Sequence, residues 1–383
     1  MKAPSGAGLR SCKVRLIKNR NQNNKLNMTA IFKESQRAIR LAIGWCTVSV
    51  AALAFFNPGS LQAQGYTATP LVADIPMGSA EVDTNLVDAW GMALLNENTL
   101  LVNLNGTDLA GVYQTDGQPT GDYISVDSAP SGVVLNNGGG FNVSDGGRPH
   151  SSSAIFVTEN GTILGWNSHL ASPAAVVAVD NSEFGAVYKG VAMIGNRLFA
   201  ADFRNGVIDV YNSKWEWMGA FTDSEVDPGF GPFNVIAIDG LLYVAFAEIA
   251  PPDFIDDQAG PGNGYVDVFN ASGHFVRRLV SHGSLNSPWG LAKAPANFGP
   301  FSGDLLVGNF GDGTINAFDI KTGAFRGTLS GANGDPINID GLWALEFGTT
   351  KVAKNKKVPT LFFSAGPNDE NDGVVGSILV NGN

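Results

Sequence analysis

Three oxygen-bearing side chains occupy the same position of a repeated sequence pattern. The pattern is a short apolar run, a small or polar residue, an acidic or amide residue, a Gly-containing turn and an alternating apolar run. It is clearest in residues 155–166, 198–211 and 305–318. There the acidic or amide position holds Glu159, Asp202 and Asn309. Carboxylate and amide oxygens are the ligands that Ca²⁺ prefers. If the repeats surround one axis, these three residues converge on one mouth and predict a calcium site.

Two interpretations of this trio remain open. A calcium ion at the mouth would polarise the carbonyl of a lactone or small ester and activate water. Alternatively, the three residues accept hydrogen bonds from nearby backbone N–H groups, which is the ordinary role of Asp and Asn in turns. We favour the turn interpretation because it needs no ligand.

Other catalytic and cofactor motifs are missing from the sequence. The four histidines show neither HxH nor HExxH spacing, and the two cysteines, Cys12 and Cys46, both lie near the N-terminus. No G-x-S-x-G nucleophile motif and no Gly-Lys-Ser/Thr phosphate loop is present. The sequence therefore leaves open whether the protein is an enzyme.

The elements that must position the trio are short β-strands. Looser copies of the pattern bring the total to six, at residues 101–113, 242–269 and 361–379. Each copy follows a further apolar segment, which we interpret as an inner strand: 90–94, 132–135, 189–194, 233–238, 289–292 and 342–347. A period of roughly 45 residues is typical of propeller blades. The sequence predicts an all-β, six-bladed propeller of four-stranded blades.

The last repeat supplies three clear strands, and a strand-like segment, 66–75, precedes the first repeat. We expect this N-terminal strand to pair into the last blade and close the ring, which removes exposed sheet edges. Pro70 suits an edge strand, where a missing N–H costs little.

The N-terminal region has the pattern of an export signal. Residues 1–40 contain ten Lys and Arg against one acidic residue, and the uncharged run 41–56 follows. A basic region, an apolar region of about 16 residues and a small-residue exit predict a signal peptide rather than a membrane anchor. We interpret 1–63 as a signal peptide with an extended basic region, in which translation starts at Met1 or Met28. Residues 64–383 are expected to form one propeller domain, secreted or periplasmic.

Charge restricts the partners of this domain. The whole chain has 24 Lys and Arg and 35 Asp and Glu, and residues 64–383 hold 14 of the basic and 34 of the acidic residues. Such an acidic domain is unsuited to nucleic acid or to anionic lipid, both of which require basic side chains. We expect a monomer that binds an extracellular protein, a glycan or a small molecule.

Three tryptophans, Trp90, Trp289 and Trp343, begin inner-strand candidates. They either form the floor of a pocket or wedge between blades. We favour the wedge, because aromatic side chains dominate cores.

Several longer segments resemble a known family. They are 90–93, 158–166, 186–190, 201–205, 287–318, 339–348 and 365–370. Together they resemble an uncharacterised family of bacterial secreted six-bladed propellers, similar to NHL-repeat proteins, in which some members end in a C-terminal sorting anchor. The resemblance implies the fold but no activity. Six-bladed propellers of the lactonase kind hold a catalytic Ca²⁺ at the axial mouth, which is what a match to them would imply for Glu159, Asp202 and Asn309.

Two functions from different classes follow. The first, which we favour, is a non-catalytic extracellular binding module that presents its loops to a ligand. The second is a Ca²⁺-dependent lactonase or esterase with its site at the central mouth.

Overall fold

The computed structural model describes residues 64–78, 80–351 and 356–382. The predicted signal peptide, 1–63, lies outside the described residues.

Six antiparallel sheets form the blades of the propeller that the sequence predicts. Blade 1 consists of Ala89–Asn96, Thr99–Leu104, Leu109–Gln114 and Pro119–Ser125. Blade 2 consists of Pro130–Leu135, Ala154–Thr158, Thr162–Trp166 and Val176–Asp180. Blade 3 consists of Tyr188–Ile194, Arg197–Asp202, Val207–Asn212 and Trp217–Phe221. In each blade the first strand lies innermost and the last lies at the rim.

The second half of the ring repeats this arrangement. Blade 4 consists of Phe230–Ile238, Leu241–Glu248, Tyr265–Asn270 and Phe275–Ser281. Blade 5 consists of Pro288–Lys293, Leu305–Asn309, Ile315–Phe318 and Phe325–Thr328. Blade 6 consists of Leu342–Lys351, Lys357–Ala365, Val374–Val380 and the N-terminal strand Tyr66–Ala73, with the short strand Glu81–Val82 beside it.

The N-terminal strand closes the ring as predicted. Tyr66–Ala73 pairs antiparallel with Val374–Val380. Its other side pairs with Glu81–Val82 only at Val72 and Ala73. Among the described residues, no strand pairs with the outer side of this strand at Pro70. The missing N–H of Pro70 therefore removes no ladder hydrogen bond there.

Short elements outside the blades are few in the part of the chain that the structure describes. The long segment between the first two strands of blade 2 forms a hairpin of Asn142–Val143 and His150–Ser151. Single 3-10 turns occur at Asn105–Thr107, Ser182–Phe184 and Gly299–Phe301. No helix of the described residues has the length and hydrophobicity needed to cross a membrane.

The core is divided among the gaps between blades. One apolar cluster fills each gap from blade 1 through blade 6. A further cluster joins blades 6 and 1 and continues across the axis to Phe203 and Phe233 of blades 3 and 4. A blade buries its apolar faces only against its neighbours, so ring closure supports every interface.

Candidate functional site

The six inner strands are in the same register at the axis. Each inner strand places one residue, which we call its plug residue, at the same level of the axis. The plug residues are Trp90, Ser131, Lys189, Phe233, Trp289 and Trp343. The next position holds Gly, Asn or Ala in every blade. At Gly91 an added Cβ would lie 2.4 Å from the Ser131 carbonyl oxygen of the next blade, and at Gly290 it would lie 2.7 Å from that of Trp343. These small residues let neighbouring inner strands approach closely enough to converge on one axis.

Aromatic plug residues fill the axis. The rings of Trp90 and Trp343 stack at 3.8 Å, and Phe310 stacks on Trp343 at 4.0 Å. Trp289 lies edge-on to Trp343 at 5.8 Å, and Phe233 does so at 5.7 Å. Blades 1, 4, 5 and 6 thus meet in one cluster. The three tryptophans are buried in the apolar cluster that joins blades 6 and 1, so they pack between blades as favoured, and near the axis their rings form what we call the aromatic floor.

Lys189 is the charged residue among the six plug residues. It is 1% exposed, and its ammonium lies 4.6 Å from the centroid of the Trp90 ring. Its Nζ donates to Glu159 Oε1 and lies 3.5 Å from Asp256 Oδ1. Burial disfavours the charged form, but the charges of Glu159 and Asp256 outweigh it, so the pKa of Lys189 is raised. Lys189 is therefore a buried, permanently charged ammonium and not a nucleophilic amine.

Two carboxyl groups beside this lysine have strongly perturbed pKa values. Asp88 is 5% exposed, and burial followed by the charge of Glu370 raises its pKa to about 8. Burial raises the pKa of Glu370 to about 7, although the charge of Lys189 opposes the rise. Both side chains lie against Gly366, where an added Cβ would stand 2.3 Å from Asp88 Oδ1 and 3.3 Å from Glu370 Cγ. The pair is charged only in part near neutral pH.

An insertion in blade 4 covers the same end of the axis. Residues 249–264 connect the second and third strands of this blade. The insertion is anchored to blade 5 by a hydrogen bond of 2.7 Å from the Gly260 N–H to Asn286 Oδ1. The insertion brings Asp256, which is 70% exposed, and Asp257 to Lys189. Burial raises the pKa of Asp257 to about 6. We call the group Asp88, Glu159, Lys189, Asp256, Asp257 and Glu370 the axial mouth.

Buried polar atoms without a protein partner concentrate here. Nine such atoms occur in residues 64–78, 80–351 and 356–382, and six of them lie at the mouth or in the aromatic floor below it. They are Asp88 Oδ1, Trp90 Nε1, Asp257 Oδ2, Ser287 Oγ, Trp289 Nε1 and Trp343 Nε1. The indole groups of Trp90 and Trp343 lie near enough to Asp88 to offset part of its pKa rise, but neither completes a hydrogen bond. Buried polar groups are normally satisfied, so this set indicates a place for water or a ligand.

The predicted trio is distributed among separate partners. Glu159 belongs to the mouth, where Oε2 also accepts from Asn105 Nδ2 at 3.0 Å. Asp202 accepts from the Val187 N–H at 3.2 Å and from Asn205 Nδ2 at 2.8 Å.

Asn309 accepts from the Asn286 N–H at 3.1 Å and donates to the Ser284 carbonyl oxygen at 2.8 Å. Asp202 and Asn309 therefore have the contacts of the turn interpretation. Within the described residues no group of three or more His, Cys, Asp or Glu is arranged to hold a metal ion. The calcium site stays a prediction.

Sequence reasoning missed Lys189, Asp88 and the two aspartates of the blade 4 insertion as site residues. Lys189 could have been identified from the sequence, because a basic residue occupies the position at which three other repeats have tryptophan. Asp88 carried a weaker signal as an acidic residue immediately before an inner strand.

The described fold is shared with known structures. The luciferin-regenerating enzyme covers 78% of this chain and 93% of its own, with a TM-score of 0.51 and 13% identity. Virginiamycin B lyase from Staphylococcus aureus covers 82% of this chain and 99% of its own, with a TM-score of 0.45 and 8% identity. At these identities the likeness concerns the fold alone.

Sequence relatives are viral. The chain is 33% identical over 323 residues to uncharacterized protein L690 of Acanthamoeba polyphaga mimivirus. This match covers 81% of the chain and 84% of L690. It is 32% identical over 322 residues to uncharacterized protein R648 of the same virus, across 80% of the chain and 78% of R648. No established family profile matches the sequence.

These relatives correct part of the expected resemblance. They support a propeller among uncharacterised proteins, but they do not support the bacterial and secreted character that the resemblance implied. The chain belongs to the same family as the mimivirus proteins L690 and R648.

Proposed function

We propose that the protein is a non-catalytic binding module whose axial mouth takes a small ligand with an ammonium or guanidinium group. One observation carries the proposal: blades 1, 2, 4 and 6, or the turns beside them, bring five carboxyl groups to one end of the axis around Lys189 of blade 3. A bound cation would stabilise the charged forms of Asp88 and Glu370, whose pKa values are raised in its absence.

The aromatic floor and its unpartnered donors complete the site. Below the carboxylates lie three indole N–H groups that complete no hydrogen bond within the described residues, although those of Trp90 and Trp343 lie near Asp88. They are suited to an oxygen acceptor on the ligand or to a bridging water. The exposed Asp256 stands at the entrance, and an acidic entrance raises the local concentration of cations. We include in the proposal that the protein acts as a secreted or periplasmic monomer.

The test is titration calorimetry of the 64–383 domain at pH 8 with arginine methyl ester, methylammonium, CaCl₂ and neutral glucose. We expect the organic cations to bind and glucose not to bind. Glu370→Gln should weaken the organic cations by roughly tenfold, the effect of losing one charge-assisted contact. Glu183→Gln, an exposed glutamate on a 3-10 turn, is the matched control. Failure of both organic cations to bind, or equal binding by Glu370→Gln, contradicts the proposal.

A hydrolase is the second candidate, and one observation favours it. Asp88 and Glu370 lie against the same glycine with pKa values near neutrality, as acid–base pairs do. A panel of lactones and small esters, assayed with and without Ca²⁺, separates the two functions. Turnover abolished by Asp88→Asn would support a hydrolase. If the turnover requires Ca²⁺ and is also lost in Glu159→Gln, the Ca²⁺-dependent hydrolase would be supported.

A further inference from the structure

The axial channel contains a second candidate site beyond the aromatic floor. The C-terminal halves of all six inner strands enclose a cavity of about 450 Å³. Trp289 lines it and also belongs to the floor of the mouth. The cavity therefore begins where the aromatic plug ends, at the opposite end of the channel from Asp88 and Glu370. Its volume is within the range of small-molecule sites, about 300–1,000 Å³.

The wall of this cavity is mixed, with aliphatic side chains set among polar backbone and side-chain groups. Most of it consists of Met, Ala, Leu, Val and Ile side chains and of the small residues of the inner strands. Asn234 is engaged by the protein, since its Nδ2 donates to the Trp289 carbonyl oxygen at 2.8 Å. Lys293 is exposed at the rim and pairs with Asp239. Burial of an apolar ligand against such a wall contributes roughly 25 cal/mol per Å².

Glu346 is the one carboxylate among the residues that line the cavity. The corresponding inner-strand positions of the other five blades are apolar: Ala93, Val134, Ala192, Ile236 and Ala292. The described residues give the Glu346 side chain neither a hydrogen bond nor an ion pair, and burial alone raises its pKa to about 7. A carboxylate in apolar surroundings is costly unless a cation or donors satisfy it.

We propose that this cavity binds a small organic cation with an apolar body, with its ammonium group against Glu346. The aliphatic side chains of the wall would contact the body of the ligand, and the carboxylate of Glu346 would pair with its charge. The site is separate from the axial mouth and does not depend on the function proposed for it. Among the described residues, the other charged side chain that lines the cavity is Lys293, which pairs with Asp239 outside it.

The test compares two probes of matched shape, 2-phenylethylammonium and neutral 2-phenylethanol, by titration calorimetry at pH 8. We expect the ammonium to bind at least tenfold more tightly than the alcohol in the wild-type domain. Glu346→Gln should remove this preference and leave the weak binding of the alcohol unchanged, while Glu183→Gln should keep the preference. Because the ammonium pairs with the ionised carboxylate, its affinity should fall as the pH is lowered from 8 to 6.

A proton readout accompanies the affinities. At pH 7 the ammonium should release part of a proton from Glu346, so the binding enthalpy should differ between phosphate and Tris buffers. That difference should vanish in Glu346→Gln. Equal affinity for the two probes, or no binding of the ammonium by the wild-type protein, overturns the proposal without use of any variant. Retention of the preference in a folded Glu346→Gln protein overturns it as well.

Discussion

Replacement of Lys189 by methionine is the sharpest test of how the axial mouth is held together. The substitution keeps most of the side-chain volume and removes the ammonium that neutralises Glu159. Loss of one partner of a buried ion pair costs about 3–5 kcal/mol. Lys189 is 1% exposed, but Glu159 is 16% exposed and keeps its hydrogen bond from Asn105. We therefore expect the lower end, about 3 kcal/mol of unfolding free energy. Asp256, at 70% exposure, adds less than about 1 kcal/mol.

The assay is urea unfolding of the 64–383 domain at pH 8.5 and at pH 5, followed by circular dichroism. The loss should be smaller at pH 5, because Glu370, whose pKa of about 7 is opposed by the charge of Lys189, is then protonated and no longer stabilised by that charge. Lys293→Met is the matched control, since its pair with Asp239 is exposed and is worth less than about 1 kcal/mol.

A double variant separates the ion pair from simple packing. Lys189→Met combined with Glu159→Gln should recover about 1 kcal/mol or more relative to Lys189→Met alone, because the stranded carboxylate is removed. The reasoning is refuted if Lys189→Met lies within about 1 kcal/mol of the wild type at pH 8.5. It is also refuted if the double variant is no more stable than the single one.

Two further predictions concern the same end of the propeller. Burial and then the charge of Glu370 raise the pKa of Asp88 from 3.8 to about 8, so the contribution of Asp88 to stability is complete below pH 3.8 and is lost as the pH rises through about 8. Asp88→Asn should therefore flatten the fall in melting temperature between pH 5 and 8.5, and an unchanged slope would contradict the raised pKa. Gly341 has φ +62°, and a Cβ there would lie 2.1 Å from the Gly366 carbonyl oxygen, whereas Gly240 has φ +80° and open space around it. Gly240→Ala should cost about 1–2 kcal/mol from the left-handed backbone and Gly341→Ala clearly more, so equal losses in chemical denaturation would exclude the close contact.

Most of the fold could be predicted because its signals are local. A strand such as Arg197–Asp202 of blade 3 is set by its continuous apolar run and by the Gly-containing turn that follows. The same pattern repeated six times implied a ring, and the leading strand Tyr66–Ala73 completed the last blade as expected.

The site was predicted only in part. Glu159 lies at the axial mouth, but its alignment with Asp202 and Asn309 did not show that the three side chains have different partners. Asp202 and Asn309 satisfy the turns beside them, whereas Glu159 reaches across to Lys189 of the next blade. Equivalent repeat positions share a backbone environment, but each side chain also depends on what the neighbouring blade presents.

The sequence by itself determined the strand order and the number of blades, because these depend on apolar periodicity and turn residues within about 45 positions of one another. It also predicted ring closure, because the last repeat has only three strands and one strand-like segment precedes the first repeat. Only the tertiary structure decided that Trp90 stacks on Trp343, that Lys189 and five carboxyl groups share the axial mouth, and that Glu346 lines the axial cavity. These residues are far apart along the chain and meet only once six inner strands surround a common axis. Their charge and burial therefore follow from the geometry of the closed ring.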